Sequence, residues 1–197
     1  MEQRRLFNNL IKISLIVYVL AVLFGIVLKS IMPNDLIANY DFLSTMTIKE
    51  RIIRGLRIFE FYKIEYELGI IKRTIILDLL NMIVFIPFGI LVTHFFKKKR
   101  ILISTVITFI FSLFIEIFQL LTIIGAFMLN DLIINIIGGV IGSIIYVYVT
   151  RSEKYKIYNI LLIIFVSIMS IISIYLIINF VSNINIYADI FKKISTN

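Results

Sequence analysis

Five stretches of about 20 residues carry almost no charge: Leu10–Leu28, Ile75–Phe96, Ile101–Ile124, Leu129–Val149 and Ile160–Phe180. Each is long enough to cross a hydrocarbon layer about 30 Å thick as a helix rising about 1.5 Å per residue. Lipid offers no partner for a free N–H or C=O, so an uncharged run of this length has to satisfy its backbone internally, as a helix does. The sequence therefore predicts an all-α integral membrane bundle of five transmembrane helices. Its composition, 60% hydrophobic and 16% charged, departs in the same direction from soluble domains, which run at about 45–50% and 25%. Residues 1–157 hold the first four spans, and residues 158–197 hold the fifth with a tail. The first run has no small-residue cleavage site and exceeds the usual signal length, so it is expected to stay as an anchor. With no cysteine and one histidine, a structural disulfide, a Cys/His zinc site and a c-type haem attachment are excluded. No cofactor or resident metal is expected.

The net charge of +8 is read as membrane orientation. Nucleic-acid binding would need a basic stripe on a folded surface, and no such partner is expected. Arg4, Arg5 and Lys12 open the first span, Lys97, Lys98, Lys99 and Arg100 join the second to the third, and Arg151, Lys154 and Lys156 join the fourth to the fifth. Parity puts these short basic segments on one side, which the positive-inside rule makes cytoplasmic. The expected arrangement is a multi-pass protein of a bacterial cell membrane, N-terminus inside and C-terminus outside. The loop after the first span is also basic, but long loops weigh less in that rule. Within it Thr47-Ile48-Lys49-Glu50 fits a capping box, and Ile48, Ile52, Leu56 and Phe59 follow at helical spacing. An amphipathic interfacial helix over residues 48–66, on the extracytoplasmic side, is predicted. It would serve as a re-entry ramp into the second span, as a contact with anionic lipid, or as a lid over a site.

A carboxylate in hydrocarbon costs about 2.5–3.5 kcal/mol on insertion scales, so each intramembrane acid marks a functional-site candidate. The second span carries Asp78 and Asn81, the third Glu116 and Gln119, the fourth Asp131 and Asn135. Each pair is spaced i,i+3 or i,i+4 and shares one helix face. Counting along helices of alternating direction brings all three pairs to roughly one depth, in the outer half of the membrane. In the third span Thr105, Thr108, Ser112, Glu116 and Gln119 form a polar stripe expected to face the bundle interior. In the fourth, Gly138 and Gly142 continue the face of Asp131 and Asn135 in a G-x-x-x-G arrangement that suits close helix packing. Desolvation and like charge predict that at least one carboxyl, Glu116 first, is protonated or paired; Arg73 is the nearest candidate partner of Asp78. The single histidine, His94, falls at the opposite end of its span and is read as an interfacial residue.

These motifs, Asn81-x-x-x-Phe85-x-Pro87-x-Gly89, then Glu116-x-x-Gln119, then Asp131-x-x-x-Asn135-x-x-Gly138-Gly139, resemble the VanZ-like family of bacterial membrane proteins over residues 10–150. The resemblance implies a role in lowering susceptibility to teicoplanin and related lipoglycopeptides. Many members of that family carry an acidic residue where this chain has Met128, an acidic or polar one at Asn130, and some an arginine at Ala126. Taken together, the residues and the resemblance point to an outward-facing polar pocket lined by Asp78, Asn81, Glu116, Gln119, Asp131 and Asn135. Its ligand would be a membrane lipid, a lipid-linked cell-wall intermediate or a lipoglycopeptide. Two alternatives stand beside this reading. One is an intramembrane enzyme on an envelope lipid, with Glu116 as general acid and Asp131 as base, or with a hard cation on Asp78, Glu116 and Asp131. The other is an accessory subunit or small transporter whose acids relay protons.

Overall fold

The computed structural model describes residues 2–30, 43–69, 71–122 and 127–150, together with the single helical positions 164, 165, 168, 171 and 175; for residues 2–8, 24–30 and 73 only the backbone is described. Among the described residues six helices follow one another: α1 Glu2–Ser30, α2 Ile48–Leu56, α3 Ile58–Glu67, α4 Ile71–His94, α5 Arg100–Thr122 and α6 Leu129–Thr150. No strand occurs among the described residues. Three helical stretches, Thr74–His94, Arg100–Thr122 and Leu129–Thr150, are long and apolar enough to cross a membrane, and Asn9–Leu23 in α1 forms a shorter apolar stretch. Five spans are thus not established: the fifth, Ile160–Phe180, lies outside the described residues apart from the single positions above, as does the Arg73 side chain. The chain divides into two compact units, residues 38–144 and residues 1–37 with 145–197. In the second of these, α1 buries Ile11, Tyr18 and Val22 and exposes Leu10, Ile13, Ile16 and Leu20, the one-sided burial of a helix at period 3.6.

Local chemistry explains where the helices of the 38–144 unit begin and end. At the start of α2, Thr47 Oγ1 accepts the Glu50 N–H at 3.3 Å, and Glu50 Oε2 accepts the Thr47 N–H at 2.7 Å. This is the capping box expected from the sequence. The Thr47 N–H and the Thr47 hydroxyl, which donates to Glu50 Oε2 at 2.9 Å, hold the Glu50 carboxyl below its ordinary pKa, since both bonds favour the charged form. The amphipathic segment expected as one helix over 48–66 is two. Arg57 takes φ −89° and ψ 64°, which breaks the helical ladder between α2 and α3. Gly69, at φ 72°, ends α3 in the left-handed conformation that glycine adopts without a Cβ clash. At the far end of α4 the turn through Lys97, Lys98 and Lys99 is tight, and Lys99 itself takes φ 48°.

Packing between the three long helices runs through small residues. A methyl group added at Gly89 would lie 2.0 Å from the Gly139 carbonyl oxygen, one at Gly142 2.0 Å from that of Ile86, and one at Gly138 2.2 Å from that of Met82. The backbones of α4 and α6 are therefore in direct contact, and both members of the G-x-x-x-G arrangement face α4. Lipid supplies no hydrophobic drive between helices, so such close van der Waals approach is what holds them. On the α5 side, Phe88 stacks on Phe111 at a centroid distance of 4.8 Å, with Phe85 tilted against both. Ser104, Thr108, Ser112 and Glu116, a strict i+4 series, are all at most 1% exposed. Thr105, expected in that stripe, is half-buried and donates to its own Ile101 carbonyl at 2.8 Å. Ser104, one turn before Thr108, takes its place, and its hydroxyl accepts Ser143 Oγ of α6 at 2.8 Å.

Gly142→Ala is expected to force α4 and α6 apart at the Ile86 carbonyl, at a cost of about 1–3 kcal/mol. A control at Gly69→Asn should cost little, because asparagine tolerates that backbone. Thermal unfolding in detergent reads both; a Gly142→Ala protein as stable as its parent would contradict the contact.

Candidate functional site

The polar groups gather at the end of the bundle where α4 begins, α5 ends and α6 begins. Asp78 stands two turns into α4 and is 9% exposed. One carboxyl oxygen accepts the Tyr62 hydroxyl from α3; the other accepts Asn130 Nδ2 from α6 at 3.1 Å. One carboxylate therefore ties three helices. Burial pushes the Tyr62 phenol well above its ordinary pKa, and the hydrogen bond and negative charge of Asp78, with the charge of Asp131, push it further. Tyr62 thus stays a neutral hydroxyl that donates. A second tie between the same helices is Thr74 Oγ1 to Glu65 Oε2 at 2.8 Å.

Glu116, 1% exposed, reaches the other side of the α6 start. Its Oε2 accepts the Met128 N–H at 2.8 Å. Met128 immediately precedes α6, and its own carbonyl accepts the Leu132 N–H at 3.3 Å, so Met128 is the N-cap residue. In a capping box a glutamate one turn later in the same helix would take that N–H. Here a glutamate from the neighbouring helix does so, which also places negative charge at the positive end of the α6 dipole. Glu116 is therefore a paired carboxyl, as desolvation requires, and its partner is a backbone amide.

The α2–α3 pair covers this end of the bundle. Arg51 donates to the Leu120 carbonyl at 3.4 Å and, through two nitrogens, to the Met46 carbonyl at 3.0 and 3.2 Å. Leu120 lies in the last turn of α5, where carbonyls lack helical partners and attract a cation. A methyl added at Gly55 would fall 2.0 Å from the Phe127 carbonyl oxygen, so α2 lies directly on the chain entering α6. Arg51 and Gly55, one turn apart, hold α2 in place, while Tyr62 and Glu65 hold α3 to α4.

Of the six residues expected to line one pocket, Asp78 and Glu116 converge on the start of α6 at Met128 and Asn130. Asn135, 4% exposed, instead pairs with Ser112 at 2.9 Å, a turn deeper. Asp131, Asn81 and Gln119 are half-buried. No three acidic or histidine side chains among the described residues are grouped so as to hold a metal ion, so the hard cation considered for Asp78, Glu116 and Asp131 lacks its ligand set. His94 lies at the opposite end, its ring edge-on to Phe95 at 5.4 Å. The sequence reading missed Tyr62, Arg51 and the Met128 N–H, and took Asn130 only as a departure from a pattern. Tyr62 lies 16 residues and Asn130 52 residues from Asp78, beyond any helical spacing. Their signal was weak: one hydroxyl-bearing ring in an amphipathic helix, and one amide beside an acid at a helix start.

Membrane-length helices with glycine contacts, and a buried carboxylate layer at one end under a helical cover, define a polytopic membrane protein with a candidate polar site. The family is shown by comparison. The VanZ/LLP1 profile matches residues 15–151, and the chain belongs to that family. Protein VanZ of Enterococcus faecium is 39% identical to it over 66 residues, a stretch that spans 34% of this chain and 41% of that protein. The chain is thus matched to less than half of that relative's length. No solved structure matches it.

Tyr62→Phe removes one of the two bonds to the Asp78 carboxylate. An interhelical hydrogen bond in a membrane protein contributes about 0.6 kcal/mol on average and up to about 1.7, so the melting temperature should fall by a few degrees. Tyr66→Phe, at a side chain 73% exposed, should leave it unchanged, and equal effects of the two substitutions would refute the tie.

Proposed function

We propose that this protein lowers the susceptibility of a bacterial cell to teicoplanin and related lipoglycopeptides, acting from an outward-facing polar site in the cell membrane. The observation that carries this reading is the burial of two carboxylates, Asp78 and Glu116, at one end of membrane-length helices beneath α2 and α3. Charge at that depth is expensive, and interhelical hydrogen bonds in membranes average only about 0.6 kcal/mol. Stability alone is a poor return for acids on three helices. Family membership and the partial likeness to protein VanZ support the resistance role.

In this proposal the N-terminus and the lysine turn at residues 97–100 face the cytoplasm, and the α2–α3 cover lies against the outer leaflet. The partners are membrane lipids, with a lipid-linked cell-wall intermediate or the drug itself as ligand. A headgroup would reach the carboxylate layer while its acyl chain lies along the apolar outer faces of the helices. Exposed Leu79, Leu80 and Ile83 on α4 and Phe114, Ile117 and Leu121 on α5 border that level.

Expression in a susceptible host should raise the teicoplanin concentration needed to stop growth. Glu116→Gln and Asp131→Asn should abolish that rise at unchanged protein level. Glutamine keeps an oxygen for the Met128 N–H, so the first variant separates charge from capping. Susceptibility unaltered by expression would end the resistance reading; resistance retained in both variants would end the site.

A further inference from the structure

The helices α5 and α6 meet along a ladder of small and polar side chains. Ser143 Oγ donates to Ser104 Oγ at 2.8 Å, a methyl added at Gly139 would lie 2.6 Å from the Thr108 side chain, and Asn135 donates to Ser112 at 2.9 Å. Each step of four residues towards the end of α5 is answered by a step of four towards the start of α6, as antiparallel helices of equal pitch require. The next rung in that register sets Glu116 opposite Asp131. The Met128 N–H that Glu116 accepts lies three residues before Asp131, on the same face of the helix. Two carboxyls from facing helices thus share a level, about 9 Å inside the end of α5 at a rise of 1.5 Å per residue.

The lower rungs are satisfied within the bundle. Thr108 donates to the Ser104 carbonyl at 2.8 Å, Ser104 to the Gly89 carbonyl at 3.4 Å, and Ser143 has acceptors in both Ser104 and the Gly139 carbonyl. Asn135 is different. Its amide nitrogen is used, but Oδ1 is buried and has no partner among the described residues. Buried acceptors are almost always satisfied, and one left over in a polar network marks a place where a donor belongs. Glu116 and Asn135 are buried while Asp131 is half-buried, so Asp131 is the most accessible of the three.

The groups at this rung and the one below it are acceptors: two carboxyls and, one turn deeper, the Asn135 amide oxygen. Like charges at one level repel, and a positive ligand relieves that repulsion. No group of three acidic or histidine side chains that could hold a metal ion occurs among the described residues. An alkylammonium carries one positive charge and three N–H donors on a compact head, which matches two carboxyls and one amide oxygen. We propose that Glu116, Asp131 and Asn135 bind a primary ammonium group, with Asn135 Oδ1 as one of its acceptors. The assignment rests on the reading of the polar layer as a ligand site, and names the chemistry of the ligand. The group could be borne by an aminolipid headgroup or by a free amine.

The test uses the purified full chain in nanodiscs of phosphatidylcholine, with or without phosphatidylethanolamine, and scores lipid retention by native mass spectrometry. The wild type should retain the ethanolamine lipid in preference to the choline lipid, whose quaternary head has no N–H. A rise in melting temperature on adding ethanolamine to choline-only discs would show that a free amine suffices; no rise, with lipid preference intact, would assign the lipid as source. Asn135→Leu should lose the preference, and Asn135→Asp, which keeps the acceptor, should retain it. Asp131→Asn, at a half-buried position, should also weaken it, which keeps the test open if the leucine variant does not fold. Equal retention of both lipids without an ethanolamine effect would overturn the proposal, and so would a preference unchanged in Asn135→Leu and Asp131→Asn. No antibiotic enters this assay, so its failure beside intact teicoplanin resistance would remove the ammonium assignment alone, and lost resistance beside intact binding would remove only the resistance reading.

Discussion

Everything at the polar end of this protein depends on how closely α6 lies against α4. Three glycines, Gly89, Gly138 and Gly142, let carbonyl oxygens of one helix stand where a methyl group of the other would be. Backbones that close bring side chains as short as aspartate and asparagine within reach of each other, so Asp78 can take the Asn130 amide at 3.1 Å. Larger residues at the contact would hold the helices at the more usual spacing of about 8–10 Å, and the polar layer would open. The packing comes first and the polar geometry follows from it.

The start of α6 is then the structural centre of the layer. Its N-cap amide is taken by Glu116 of α5, its second residue by Asp78 of α4, and the chain that leads into it is covered by Gly55 of α2. A buried helix start leaves N–H groups that need partners from elsewhere in the bundle. Glu116 answers that need at the Met128 N–H, and Asp78 holds the Asn130 side-chain amide beside it, each at a cost in desolvation. Glu116, which caps α6 at Met128, and Asp131, three residues after that cap, are the residues on which the structural duty and the proposed ligand role meet.

Much of this was legible along the chain, and the physical reason is periodicity. The three long helices fall within a few residues of the uncharged runs, because a span has to satisfy its own backbone. The i,i+4 series from Thr108 through Ser112 to Glu116 is buried as the helical repeat implies, and the Thr47–Glu50 capping box is local in sequence and forms as read. The break at Arg57 was not legible. Residues 48–66 keep an amphipathic pattern across it, and the chain turns there because α2 has to reach Phe127 and Leu120 while α3 has to reach Asp78 and Thr74. Nor was the unequal fate of the six site candidates, since equal depth on three helices says nothing about rotation of each about its axis.

By itself the sequence determined that the described chain is helical, that its long runs are apolar enough for lipid, and which acids and amides interrupt them, all consequences of hydrophobicity and a fixed rise per residue. Only the tertiary structure decided the partners: Tyr62 and Asn130 for Asp78, the Met128 amide for Glu116, Ser112 for Asn135. Helix depth is a one-dimensional property that counting residues can reach. Which side chains meet across helices depends on axial rotation, register and glycine-set distance, and these exist only once the helices have packed.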